Sequence, residues 1–100
     1  MVKHVVMWRF KDEANGNTKS ENIKKTIEIL QSLKGKIETL SSLETGENFN
    51  PSEAAFDLVL ITTHPDKEGL DAYQTHPDHK EAGAFIGSVV SERVVTDFEF

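Results

Sequence analysis

Hydrophobic and polar positions divide the chain into a short series of elements. Residues 2–11, Val-Lys-His-Val-Val-Met-Trp-Arg-Phe-Lys, are rich in β-branched and aromatic types and predict a strand. Asn15-Gly16-Asn17 is a turn signal. Thr18 and Glu21 form the T-x-x-E pattern, in which each side chain caps the other residue's backbone N–H. Ile23, Ile27, Leu30 and Leu33 recur at helical spacing, so 19–34 reads as an amphipathic helix stopped at Gly35. A weaker strand is expected over 36–44, where Ile37, Leu40 and Leu43 break strict alternation and imply a bulge. Asn48, Asn50 and Pro51 mark a loop across 46–55. Residues 56–63 predict a strand. Pro65-Asp66 opens a short helix carrying Leu70 and Tyr73, and Pro77 opens a second helical piece with Ala82, Phe85 and Ile86 on one side. Residues 89–100 predict a long closing strand. The order is β-α-β-β-α-β, the split motif of a ferredoxin-like α+β fold with a four-stranded antiparallel sheet.

The strands carry more apolar surface than one layer of helices can cover. In the first, Val2, Val6, Trp8 and Phe10 share one face with His4, while Val5 and Met7 take the other. In the third, Phe56, Leu58 and Leu60 oppose Val59 and Ile61. In the last, Val90, Val94, Phe98 and Phe100 are expected on one side, with Val89 and Val95 opposite. A sheet with helices on one face and water on the other alternates cleanly. Each aliphatic side chain left in water forfeits about 1.5–3 kcal/mol. A second copy packed sheet against sheet removes that loss, so a homodimer through the sheet faces is expected. A shallow ligand groove or an exposed apolar patch is the alternative.

Composition narrows the classes. One hundred residues are the length of a single domain, 1–100. There is no cysteine, hence no disulfide framework, thiol nucleophile or iron–sulfur cluster. A formal charge of −6 and the lack of any basic run argue against nucleic acid and anionic membrane as partners. The apolar runs near the start are shorter than a secretory h-region or a membrane span, and a cytoplasmic protein is the expectation. Nucleotide-binding, serine-hydrolase and zinc-protease signatures are missing, and no cofactor is implied.

Candidate chemistry concentrates in the histidines. His4 lies on an apolar strand face, where it is either a hydrogen-bonded core residue or a neutral base held in a pocket. Residues 73–79, Tyr-Gln-Thr-His-Pro-Asp-His, form the densest polar cluster. His76, Pro77 and Asp78 suit a helix cap, first turn and acidic start, a purely structural role. The functional alternative makes Tyr73 a donor to a substrate oxygen and His79 a general acid or base, both facing the gap into which His4 points. Val6, Trp8, Ile23, Ile27, Phe85 and Val90 are the expected apolar walls of that gap. His76 and His79 have H-x-x-H spacing but no convincing third ligand, so no metal is expected. His64 precedes Pro65 at a strand end and is expected in solvent.

Val2-Lys3-His4-Val5-Val6 with Phe10-Lys11, the Gly46-Glu47-Asn48 segment, the Y-x-x-H-P-x-H run at 73–79 and the closing Asp97-Phe98 together resemble the stress-responsive dimeric α/β-barrel (Dabb) family over essentially the whole chain. The resemblance implies a ferredoxin-like subunit and a homodimer whose two sheets form a barrel. Most members have no assigned activity. Some plant members are cofactor-independent polyketide cyclases, in which a tyrosine and a histidine of the late motif close a linear poly-β-keto chain. Tyr73 and His79 match those positions, and His4 matches a pocket histidine. Leu58 stands where the cyclases carry a further histidine. The expectation is a dimer binding a small apolar or polyketide-like molecule between sheet and helices, with cyclase- or lyase-like acid/base catalysis. The alternative is a non-catalytic stress-associated binding or structural dimer.

Overall fold

The computed structural model describes all 100 residues. Strand β1 (Val2–Phe10) leads into a small hairpin, β2 (Glu13–Ala14) and β3 (Asn17–Thr18), and then helix α1 (Lys19–Gln31). Strands β4 (Ser42–Glu47) and β5 (Leu58–His64) follow, then helices α2 (Lys67–Thr75) and α3 (Pro77–Val89), and finally strand β6 (Val90–Glu99). The four long strands form an antiparallel sheet in the order β4-β5-β1-β6. This is the ferredoxin-like α+β arrangement. The helices cover one face of the sheet, and Val6, Trp8, Phe10, Leu58 and Leu60 of that face join Ile23, Leu30, Ile86 and Val89 in the core.

Local chemistry sets the boundaries. At the start of α1 the Glu21 N–H donates to Thr18 Oγ1, and the Glu21 carboxylate accepts from the Thr18 N–H, closing the capping box. The break between α2 and α3 falls at His76-Pro77. A residue before proline is pushed out of the helical region, and His76 has φ −62° and ψ 136°. Its Nδ1 accepts from the Asp78 N–H at 3.1 Å, so His76 is the cap of α3.

Two sequence expectations shift. The second strand is β4 at Ser42–Glu47, not 36–44, so Gly46 lies inside a strand. Ile37 and Leu40 are three apart because they bracket a turn, closed by the Leu40 N–H on the Ile37 carbonyl. Gly46 stays small for packing reasons: a Cβ there would sit 3.1 Å from Val59 Cγ1. The second shift concerns β6. Phe10 pairs with Val90 but Arg9 pairs with Glu92, so Ser91 is an extra, bulged residue. The bulge reverses the parity of the strand. Val90 faces the helices, whereas Val94 and Phe98, opposite Met7 and Lys3, face away from them, so these three positions, expected on one side, do not share it. Val89 is the last residue of α3 and fully buried.

The face away from the helices is open. Met7, Val94, Phe98 and Phe100 are 39%, 40%, 45% and 61% exposed. The two-sided apolar pattern read from the strands is thus present in the folded subunit. No helix is long and apolar enough to cross a membrane.

Candidate functional site

Alternation along the strands aims one row of polar groups into the space under the helices. His4 sits between Val2 and Val6 on the buried face of β1, and only 1% of it is exposed. Thr62 and His64 continue the buried parity of Leu58 and Leu60 on β5. From the helix side α2 contributes Tyr73, fully buried, and the first turns of α3 contribute His79, half-buried. Three imidazoles therefore surround one phenol. Ring centroids lie 4.5 Å apart for Tyr73 and His79, 4.8 Å for Tyr73 and His64, and 6.3 Å for Tyr73 and His4.

The hydrogen bonds assign different states to these groups. His64 Nδ1 lies 2.8 Å from the Thr39 carbonyl, so it carries the proton and donates. Its Nε2 then accepts from the Thr62 hydroxyl at 2.9 Å. Both nitrogens of a neutral ring are used, and burial holds the His64 pKa below its ordinary value. His4 Nδ1 contacts Asp97 Oδ1 on the neighbouring strand, where register sets His4 opposite Asp97. That contact directs the Nε2 of His4 away from the carboxylate. His79 is different: its Nδ1 is buried without a partner. Burial lowers its pKa, the nearby Gln74 backbone carbonyl opposes that shift, and the His4 imidazole and Arg93 guanidinium add to the lowering. The Tyr73 hydroxyl is also buried and unpartnered, and burial pushes its pKa up to about 12.

A cavity of about 120 Å3 adjoins this cluster. Its sheet side is made by His4, Val6, Trp8, Leu60, Val90 and Arg93, and its helix side by Leu30, His79, Ala82, Gly83, Ile86 and Gly87. Of these, Gly83, Gly87 and Arg93 are exposed and mark the mouth, on the β6 side. Glycine at 83 and 87 fits that position, because a Cβ added at either would meet nothing within 4 Å and would narrow the opening.

His4, His79, Val6, Trp8 and Val90 thus line the cavity. Tyr73 lies behind the lining, against His79. Three expected wall residues are elsewhere. Ile23 is in the core two helical turns before Leu30, and a helix rises about 10 Å over seven residues, so the end of α1 meets the cavity and its start does not. Ile27 packs against the core from the partly buried flank of α1. Phe85 faces the seam between α1 and α3, with Lys25 Nζ 5.0 Å from its ring centre. His64, expected in solvent, is fully buried. Its parity with Leu58 and Leu60 was the available signal. Sequence marks Asp97 only as part of the closing motif and Arg93 not at all, because the bulge at Ser91 hides which face they take. No group of three His, Asp or Glu side chains is arranged to hold a metal ion.

Comparison with known proteins extends the picture. The family model for the stress responsive A/B barrel domain matches residues 2–100. A stress-response A/B barrel domain-containing protein of Arabidopsis thaliana is 32% identical over 99 aligned residues, spanning 96% of this chain and 83% of that protein. A dimeric protein of unknown function and ferredoxin-like fold from Bacteroides fragilis superposes with a TM-score of 0.83 at 27% identity, covering 99% of this chain and 95% of that one. A hydroxynitrile lyase from Passiflora edulis superposes with a TM-score of 0.81 at 17% identity, covering 97% and 90%, a likeness of fold.

Proposed function

The chain belongs to the stress responsive A/B barrel domain family, and from that premise we propose that residues 1–100 act as one domain, which pairs with a second copy through the open sheet face and binds a small, compact molecule beside His79. The observation that carries the binding reading is the unpartnered, buried Nδ1 of His79 next to a partly open cavity. A buried polar atom without a partner costs about 1–3 kcal/mol. With Nδ1 shut off from solvent, the edge that His79 turns to the cavity carries its other ring nitrogen, and a ligand seated in the cavity meets that atom. Pairing of the sheets is supported by the exposed Met7, Val94, Phe98 and Phe100 and by the dimeric B. fragilis relative.

The chemistry fitting this lining is proton transfer without a cofactor. His79, neutral at pH 7 because burial lowers its pKa, is suited to accept a proton from an acidic C–H or O–H. His4, turned by Asp97, presents Nε2 as a second site for that proton or for a substrate oxygen. Tyr73, edge-on to His79, fixes the imidazole plane. A volume of about 120 Å3 favours a molecule near benzene in size over an extended poly-β-keto chain, for which pockets of roughly 300 Å3 or more are usual. The same small volume also favours the second reading, a binding or structural dimer without turnover.

Hydrogen–deuterium exchange into a panel of small ketones and aldehydes, followed by NMR in D2O, separates the two. Trp8, the sole tryptophan, lines the cavity and reports binding by fluorescence. Catalysed exchange that disappears in His79→Ala supports catalysis. Saturable Trp8 quenching with no exchange supports binding alone. Absence of both refutes a ligand site for these compounds.

A further inference from the structure

The sheet has two free edges, and they are chemically unlike. β6 is exposed along nearly its whole length, and its helix-side residues Arg93 and Val95 stay uncovered even when the opposite face is paired. Val95 is 45% exposed, although it sits beside the buried Val6. Arg93, at the cavity mouth, has no acidic partner and no hydrogen bond in the subunit, whereas Arg9 on β1 has Glu92. The other edge, β4, carries Glu44 and Glu47 and no basic residue. Just beyond it Phe49 is 98% exposed, on a loop tied by the side chains of Asn48, Asn50 and Ser52.

Strand register relates the two edges. Glu47 pairs with Leu58, Leu58 with Trp8, and Trp8 with Arg93, so one row of the sheet begins in an acid and ends in a base, both on the helix side. Two sheets packed face to face by a two-fold axis have that axis in the plane between them. If it runs across the strands, β4 lies beside β4 of the partner and sets Glu44 and Glu47 near their own copies, in a chain of net charge −6. Like charges opposite each other are destabilising. If it runs along the strands, β4 lies antiparallel to β6 of the partner, and where the twisted sheets curl until these edges come side by side the helix-side ends of the same row meet on the outer surface. A stagger of a residue or two between the sheets leaves Arg93 as the one base available on β6.

Resting on the sheet-pairing reading above, we propose that the cavity mouth is completed by a second copy of this chain, whose β4 edge lies antiparallel beside β6 and sets Glu47 of the partner subunit against Arg93. Phe49, two residues past Glu47, then falls level with Val90 and covers the apolar rim of the mouth. The ligand site is shared between subunits: one copy supplies the imidazoles, and its mate supplies the acid that holds Arg93 and the ring that limits access.

Charge reversal in the full chain tests this. Both side chains are exposed in the subunit, so neither change threatens folding. Glu47→Arg and Arg93→Glu are each expected to weaken the dimer by about tenfold or more, and the double variant to return within roughly threefold of the parent, read by sedimentation across a concentration series. Because the chain lacks cysteine, a mixture of Glu47→Cys and Arg93→Cys subunits should form an interchain disulfide on oxidation. Crosslinking of Glu47→Cys to itself, or a double variant no better than the singles, overturns the edge assignment while the dimer stands. A parent protein that sediments as a monomer at all concentrations overturns both the pairing and this inference.

Discussion

Met7→Glu is the most direct perturbation of the open sheet face. Met7 is central on that face, opposite Val59 on one side and Val94 on the other. The exposed fractions of Met7, Val94, Phe98 and Phe100 add to roughly two whole side chains. At about 1.5–3 kcal/mol per buried apolar side chain, pairing recovers about 3–6 kcal/mol per subunit from these four alone. Glutamate at position 7 removes one contributor and sets a carboxylate against hydrocarbon. A buried, unpaired charge costs several kcal/mol, and two-fold symmetry applies the cost twice. Taking about 3 kcal/mol per site, the dimer constant rises by on the order of 10^4-fold, since each 1.4 kcal/mol is a factor of ten. Within the subunit the same change is mild, because Met7 is already 39% exposed. Sedimentation velocity should show monomers with a melting temperature close to that of a dissociated parent subunit. Unchanged dimer mass on dilution would refute the assignment of this face as the contact.

Two further outcomes follow from the buried polar cluster. Folded-state pKa values of His64 and His79 lie below the unfolded value of about 6.5, so the unfolded chain binds more protons. Stability is full above pH 6.5 and declines as pH falls below it; melting temperatures that are flat or rise between pH 7 and 5.5 would contradict this. Tyr73→Phe deletes a buried hydroxyl that has no partner, so the variant should be as stable as the parent or more stable by about 0.5–1 kcal/mol in denaturant titration. A loss above about 1 kcal/mol would mean that the hydroxyl is bonded in solution.

The element order was legible because hydrophobic period and turn residues agree in most segments. Thr18 and Glu21 mark the helix start, Pro77 marks the α2–α3 break, and the odd and even positions of β1 separate buried from open. Where sequence and structure part, two physical reasons recur. The spacing of Ile37 and Leu40 fits an irregular strand as well as a turn, since so few residues do not separate the two. Ser91 shifts the parity of β6, and a bulge leaves no compositional mark. The candidate site was half visible. His4 and His79 lie where polar residues in an apolar pattern pointed, and both reach the cavity. His64 has the parity of the buried positions, while its neighbour Pro65 points to a strand end in solvent, and parity prevails. Asp97 is a long-range partner of His4, and only the register of two strands 93 residues apart brings it there. Ile23, Ile27 and Phe85 share apolar character with the cavity lining, but Ile23 lies too far along α1 and Ile27 and Phe85 lie on other faces of their helices.

The extra residue at Ser91 has an effect out of proportion to its size. Every side chain downstream of it owes its direction to that residue being looped out of the ladder. With Ser91 paired to Arg9 instead, each later residue would move on by one, so that Thr96 would stand opposite His4 and Asp97 would turn outward opposite Lys3. The same slip would send Arg93 and Val95 to the far side and bring Val94 and Phe98 under the helices. One unpaired residue therefore assigns hydrocarbon to the open face and charge to the cavity rim, and both assignments stand or fall together.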